Sequence, residues 1–330
     1  MKSITINIKL IIYSIIFMST IIIVSSINIF IIWISIELNL FSFVLLLIND
    51  FKRNEIEASI NYFLSQALGS ILFLIIIAVN TRSHWFSWIT SILLIIAITL
   101  KLGIVPCHYW FPATIRNIRW INCLILSTWQ KIGPLFIIAY VIKSEQVYIA
   151  IIATINALIG RIMGLRQLSL KKIIAYSSIA HIGWTIAGIS IKIPCLSITY
   201  FIFYLLISMP LFIIFNLMKI NFIYESWKST IRPILKFSTI VLFLSLGGLP
   251  PLTGFMPKLL IINILLNYRI IIVIVLLISS LITLFFYLNI RLNIFILLEI
   301  NKILLRANNT YNFINIIART RLLGLITIIL

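Results

Sequence analysis

Residues 244–258 read LSLGGLPPLTGFMPK, and residues 100–112 read LKLGIVPCHYWFP. Each sets Gly, Pro and a lysine inside an otherwise apolar stretch. The later string carries Gly247, Gly248, Pro250, Pro251, Gly254 and Pro257 ahead of Lys258; the earlier one carries Gly103 and Pro106 just after Lys101. Pro removes a backbone donor and clashes with the preceding turn, while Gly loosens the helix, so both segments are expected to be discontinuous. What such breaks can do depends on the medium around them.

That medium is lipid. Of the 330 residues, 62% are hydrophobic and only 10% charged, against about a quarter charged in an ordinary soluble domain. Apolar stretches of about the length that crosses a ~30 Å hydrocarbon core follow one another along the chain. They must be helices, because in lipid every backbone polar group needs an internal partner. A strand barrel would instead show alternation over ten-residue segments.

The predicted spans are 4–24, 27–48, 57–79, 87–105 with an extension to about 116, 121–141, 147–165, 172–191, 196–218, 236–266 with a break, and 269–291. An eleventh covers 312–330, where Arg319 and Arg321 leave a surface-lying amphipathic helix as the alternative. The fold class is all-α integral membrane, with about eleven transmembrane helices. Lys2 and Lys9 precede an apolar run in the manner of a secretory signal, but no small-residue cleavage site follows and another apolar segment comes next. The first span is therefore expected to be retained.

The net charge of +19 sits in the links between spans. The N-terminus and alternate links hold seventeen basic residues: Lys2, Lys9, Lys52, Arg53, Arg116, Arg119, Arg161, Arg166, Lys171, Lys172, Lys219, Lys228, Arg232, Lys236, Arg291, Lys302 and Arg306. The opposite side holds four, Arg82, Lys143, Lys192 and Arg269. The positive-inside rule places the N-terminus inside. Such dispersed charge, without an aromatic-interleaved patch, excludes nucleic acid as the partner. Cys107, Cys123 and Cys195 lie far apart with no metal-ligand spacing, and neither GxGxxG after a strand nor GxxxxGK[ST] occurs, so no metal, iron–sulfur or nucleotide site is encoded. Heavy use of Ile, Asn, Lys and Phe fits an AT-rich organellar genome.

The broken fourth and ninth spans lie five helices apart. A five-helix unit reverses its orientation when repeated, so the spacing predicts two inverted repeats, residues 1–143 and 144–295, with 296–330 as a C-terminal link and helix.

Few ionisable groups fall within spans: Glu37, Lys101, Lys131, His181 and Lys258. Four charges at mid-membrane depth would oppose insertion by about 10 kcal/mol on insertion scales. They therefore need partners and a reason. Matching helices of the two repeats pair Glu37 with His181 and Lys101 with Lys258. A chain of titratable groups bridged by water at helix breaks is what a lateral proton relay requires, since burial and neighbouring charge both bias protonation. A single lysine near a span end can instead snorkel to the interface, and a lone buried His is often a hydrogen-bonded packing residue. His84 and His108 fall near interfaces and read as structural. Gly160 and Gly164 spell GxxxG, a helix-approach pattern, and Trp85, Trp88, Trp120 and Trp227 read as interfacial anchors.

The strings WISIELN (33–39), EASINYFLSQ (57–66), LKLGIVPCHYWFP (100–112), WQKIGP (129–134), SSIAHIGW (177–184) and LSLGGLPPLTGFMPK (244–258), in this order, resemble the antiporter-like membrane subunits of mitochondrial NADH:ubiquinone oxidoreductase, respiratory complex I, and among them the subunit 2 family. The resemblance covers residues 33–291. It implies inverted five-helix repeats, Glu37 and Lys101 as the acid and base of a first half-channel, Lys131 as the central relay and Lys258 facing a second half-channel. It also implies a mitochondrial inner-membrane subunit with its N-terminus in the matrix. Its partners would be other membrane-arm subunits and lipid. NAD, FMN, iron–sulfur clusters and ubiquinone would be bound elsewhere in the complex, and this chain would bind no cofactor itself. A single span before the Glu37 helix is similar to the shortened animal form.

Two other functions are open to such a chain. A free-standing cation/proton antiporter needs a carboxylate-rich site for its cation, and one buried Glu beside three Lys offers little. A scaffold without transport has no use for three costly lysines, two of them at helix breaks.

Overall fold

The computed structural model describes residues 2–48, 52–80, 87–141, 146–191, 193–222 and 233–306. Three continuous helices open the chain: α1 (Lys2–Ser25), α2 (Ile29–Ile48) and α3 (Arg53–Asn80). The fourth segment is broken into α4 (Ser87–Leu102) and α5 (Trp110–Asn117). Then come α6 (Trp120–Ser127), a 3-10 turn at Trp129–Lys131, and α7 (Ile132–Val141). The order repeats with α8 (Gln146–Leu165), α9 (Leu170–Ile189) and α10 (Pro194–Met218) continuous, followed by a ninth segment broken into α11 (Pro233–Gly247) and α12 (Phe255–Leu266). The long α13 (Ile270–Arg306) closes the described chain. A single antiparallel bridge, Ser169 to Phe222, is the β-structure among the described residues.

Both expected breaks are present, and their chemistry is local. Gly103 and Gly248 take φ of +65° and +80°, the left-handed region that costs an L side chain about 1–2 kcal/mol. The carbonyls orphaned at the end of α4 are capped by side chains: Trp110 Nε1 donates to Leu100 O at 3.1 Å, and Gln66 Nε2 to Lys101 O at 3.2 Å. Val105 N donates to Asn156 Oδ1 at 2.7 Å, which ties the first break to α8. Backbone groups freed at membrane depth thus find protein partners, as lipid demands.

The centre of the molecule is α9. Every residue from Ile173 to Ile189 is buried, the mark of a helix enclosed on all sides, and α5, α6, α7, α8, α10 and α12 all pack against it. The GxxxG expectation holds at Gly160, where a Cβ would lie 2.8 Å from Ala180 N of α9. The outer faces are apolar. Ile27, Leu206 and Ile271 are 79%, 64% and 79% exposed, and so large an apolar exterior suits lipid rather than water. α2, α3, Trp120–Ala139, α8, α10 and Ile270–Leu288 are each long and apolar enough to cross a membrane.

Three expectations need correction. The fifth span is not continuous: it breaks at Thr128, where the 3-10 turn begins. Pro134 has no amide to satisfy the Gln130 carbonyl, and such a residue is tolerated only in the first turn of a helix, which is where α7 places it. The tenth helix does not stop at 291 but runs to Arg306. Residues 291–306 contain neither Gly nor Pro, and at 1.5 Å per residue the 37-residue α13 is about 55 Å long, well beyond a ~30 Å core. Finally, Arg161 is not a link charge. It lies within α8 and is buried. The 312–330 segment and the 80–86 link lie outside the described residues, apart from Asn80, the last residue of α3.

Candidate functional site

Lys101 is in the last turn of α4, where Gly103 ends the helix. Its side chain is buried, and Nζ has no hydrogen-bond partner among the described residues. Tyr62, Gln66, Lys101, Trp110, Phe111, Gln130 and Lys131 line one cavity with room for about one water molecule. The first two lysines of the expected relay therefore face a common space.

Lys131 sits on the unexpected 3-10 turn. Unwinding there swings the side chain into the core, where Nζ donates to Ser178 Oγ of α9 at 3.1 Å and lies 4.2 Å from the centre of the Phe111 ring. The aromatic face offers a cation some of the stabilisation that water would. Gln130 Nε2 donates to Asn39 Oδ1 at 2.8 Å and so fixes the turn to α2.

From Ser178 a stripe runs along α9 at i, i+3 spacing: Ser178, His181, Trp184. Residues so spaced share one helix face. Lys131 meets the first, and Lys258 Nζ lies 5.8 Å from the ring centre of the third. The six-residue stretch rises about 9 Å. His181, between them, contacts Arg161 Nη2 through Nε2 at 3.3 Å and Tyr200 Oη through Nδ1 at 2.8 Å. Lys258 donates to Gly247 O at 2.8 Å. It therefore caps the C-terminal end of α11, where the helix dipole favours a cation.

Glu37 is placed less centrally than expected. It is half-buried on α2, beside the outward-facing Ile34, Leu38 and Phe41. Its charge reaches Lys101, yet no direct hydrogen bond joins them. The structure thus draws Lys101, Lys131, His181 and Lys258 into one buried file and leaves Glu37 at its edge. Arg161 was missed as a member of this group because a lone charge near a span end looks like a link residue. The carboxylates whose side chains are described are Glu37, Glu55 and Glu57, and none is a partner of Arg161. Glu55 is buried against Arg119, whose Nε donates to Oε1 at 3.0 Å. That pair belongs to a wide, basic cavity lined also by Lys52, Arg53, Arg116 and Lys171. It lies at helix ends, away from the file. No group of His, Cys, Asp and Glu suited to a metal ion occurs among the described residues.

Residues 26–283 match the family described as NADH:quinone oxidoreductase/Mrp antiporter, transmembrane. The chain belongs to this family. Its relatives include the NADH-ubiquinone oxidoreductase chain 2 of Lumbricus terrestris, 41% identical over 83% of this chain and 82% of the relative, and that of Anopheles gambiae, 39% identical over 80% and 79%. Among solved structures, a chain of respiratory complex I from Thermus thermophilus with bound aureothin is similar, with a TM-score of 0.76 at 22% identity over 84% of this chain and 68% of that one. A chain of the Mrp complex from Dietzia sp. is similar with a TM-score of 0.72 at 18% identity, over 80% and 56%. At such identities these two likenesses establish the fold. As a member of the NADH:quinone oxidoreductase/Mrp antiporter family, the chain carries its buried lysines on the common scaffold.

Proposed function

We propose that the chain is a core membrane-arm subunit of respiratory complex I in the mitochondrial inner membrane. It carries protons across the membrane, driven by electron transfer from NADH to ubiquinone in other subunits, where NAD, FMN, iron–sulfur clusters and ubiquinone are bound. Membership in the complex is supported by relatives named NADH-ubiquinone oxidoreductase chain 2 at up to 41% identity. The observation that carries proton transport is the α9 stripe, which holds Lys131 at Ser178 and Lys258 at Trp184 with His181 between them. Lys101 feeds this stripe through the cavity it shares with Lys131. Glu37 supplies the negative charge at the entrance. Three donor-bearing groups along the route, Lys101 Nζ, Arg161 Nε and Trp184 Nε1, are buried without a hydrogen-bond partner among the described residues. Buried polar groups of this kind are ordinarily met by water, and water between titratable side chains completes a proton path.

Replacing Lys258 by Met tests this reading. The complex should assemble, because the α11 end keeps its Gly248 turn, and protons moved per NADH in sealed membranes should fall. Unchanged stoichiometry and rate in an assembled Lys258→Met complex would remove Lys258 from the relay.

The two halves share the order of three continuous helices and one broken one, which supports reading them as inverted repeats about an axis in the membrane plane. Orientation follows from the charge split, which survives the removal of Arg161 from it. The link at 166–169, between α8 and α9, should face the matrix. A single cysteine introduced at Gln167 should react with an impermeant thiol reagent only after the inner membrane is opened. Labelling from the intermembrane space would reverse the topology.

A further inference from the structure

Arg161 sits a turn inside the end of α8, buried to 5% exposure. A guanidinium carries five donors and no acceptor, and it stays charged in proteins. Its contact with His181 Nε2 at 3.3 Å is a hydrogen bond only if Nε2 is the acceptor. The ring proton must then be on Nδ1, and Nδ1–H donates to Tyr200 Oη at 2.8 Å. The two partners together select one tautomer, and the free lone pair of His181 is occupied by Arg161.

The consequence for the stripe is steric and electrostatic at once. Between Ser178 and Trp184, His181 offers one atom that could take up a proton, Nε2, and that atom is blocked by a fixed positive charge. Around the ring stand Arg161 on α8 and Tyr200 and Tyr204 on α10, with Lys258 on α12 and Lys131 on the 3-10 turn within range of its charge, while Tyr287 on α13 bonds the Arg161 guanidinium. No described carboxylate is among them. Beside the guanidinium lies a small cavity lined by Gly160, Gly164, Ser177, Thr283 and Tyr287. It has room for about one water molecule.

We propose that Arg161 is a positioning residue that holds His181 as its Nδ1–H tautomer and closes Nε2, so that His181 accepts a proton only when the contact between Arg161 and Nε2 opens. When it does, Nε2 takes up the arriving proton and the ring becomes the imidazolium, with Nδ1–H still donating to Tyr200. Giving that proton onward from Nε2 restores the neutral Nδ1–H ring, to which Arg161 then donates again. The proposal rests on the proton-relay reading above.

The test uses the assembled complex in sealed membranes, with protons moved per NADH followed across the range in which an imidazole titrates, about pH 5 to 8. Arg161→Met leaves Nε2 open to hold a proton, so its yield should fall about twofold more than that of the unaltered complex between pH 8 and pH 6. Arg161→Lys keeps a donating cation and should restore the unaltered profile. The double variant Arg161→Met with His181→Gln should lose the added slope. An Arg161→Met profile that coincides with the unaltered one, or a slope that persists in the double variant, overturns the proposal. Should Arg161→Met fail to assemble, a high-resolution map of the unaltered resting complex decides. A guanidinium within about 3.5 Å of Nε2 upholds the proposal, and Arg161 paired instead with a neighbouring carboxylate or a lipid phosphate overturns it. His181→Gln alone separates the two readings, since normal pumping there removes His181 from the relay while the map still decides the position of Arg161.

Discussion

Replacing Lys131 by Met is expected to leave the complex assembled and to lower proton transport through this subunit on the order of a hundredfold, the scale of losing a positioned proton-transfer group. Lys131 stands between the Lys101 cavity and the α9 stripe. It lines the cavity of Lys101 on one side and donates to Ser178 on the other. Met roughly preserves the volume packed against Phe111, which limits the cost to the core. Ser178 Oγ keeps its own bond to Ala175 O at 2.6 Å, so no hydroxyl is stranded. The measurement is proton movement alongside NADH oxidation in sealed vesicles, with assembly checked on a native gel. A fully assembled Lys131→Met complex that pumps normally would show that protons bypass the 3-10 turn.

Glu37→Gln and Lys101→Met should each impair pumping, and their combination should cost less than the sum of the two. Among the described residues Glu37 is the carboxylate whose charge reaches Lys101, and Lys101 Nζ has no hydrogen-bond partner there. A nearby carboxylate favours the charged form of an amine, and separating the two releases that bias. Gln keeps the volume and removes the charge, so each single variant abolishes the same interaction. The shortfall from additivity should be about 1–3 kcal/mol, or roughly 5- to 150-fold in rate. Strict additivity would mean that the two groups act independently, and that Glu37, half-buried at the edge of α2, serves some other contact.

The features written in Gly and Pro were legible. Gly103 and Gly248 mark the two breaks because few other residues tolerate their backbone angles, and lysines beside such breaks in an apolar chain point to a path through the membrane. The interruption at Thr128 was less visible. Its signal was Gly133–Pro134, a mild pair compared with the runs at 103–106 and 247–257, and it acts on a carbonyl four residues upstream. The extension of α13 was missed because a drop in hydropathy was read as a helix end, whereas charged residues such as Arg291 and Lys302 end a span without ending a helix. Arg161 shows a different limit. Hydropathy places a charge within a few residues of a span end, but only the packing of α8 on α9 turns it toward His181 rather than toward water. The α9 stripe was partly legible, since His181 stood out as a titratable group within a span, but its contacts depend on five other helices.

The central claim is that Lys101, Lys131, His181 and Lys258 lie on one hydrated path. A structure of the assembled complex with ordered waters resolved tests it most directly. Waters are predicted within hydrogen-bond reach of Lys101 Nζ, Arg161 Nε and Trp184 Nε1, joined into a file from the Lys101–Lys131 cavity along α9 to Lys258. A dry, apolar gap between Lys131 and Lys258, with those three groups satisfied by protein or lipid instead, would contradict it.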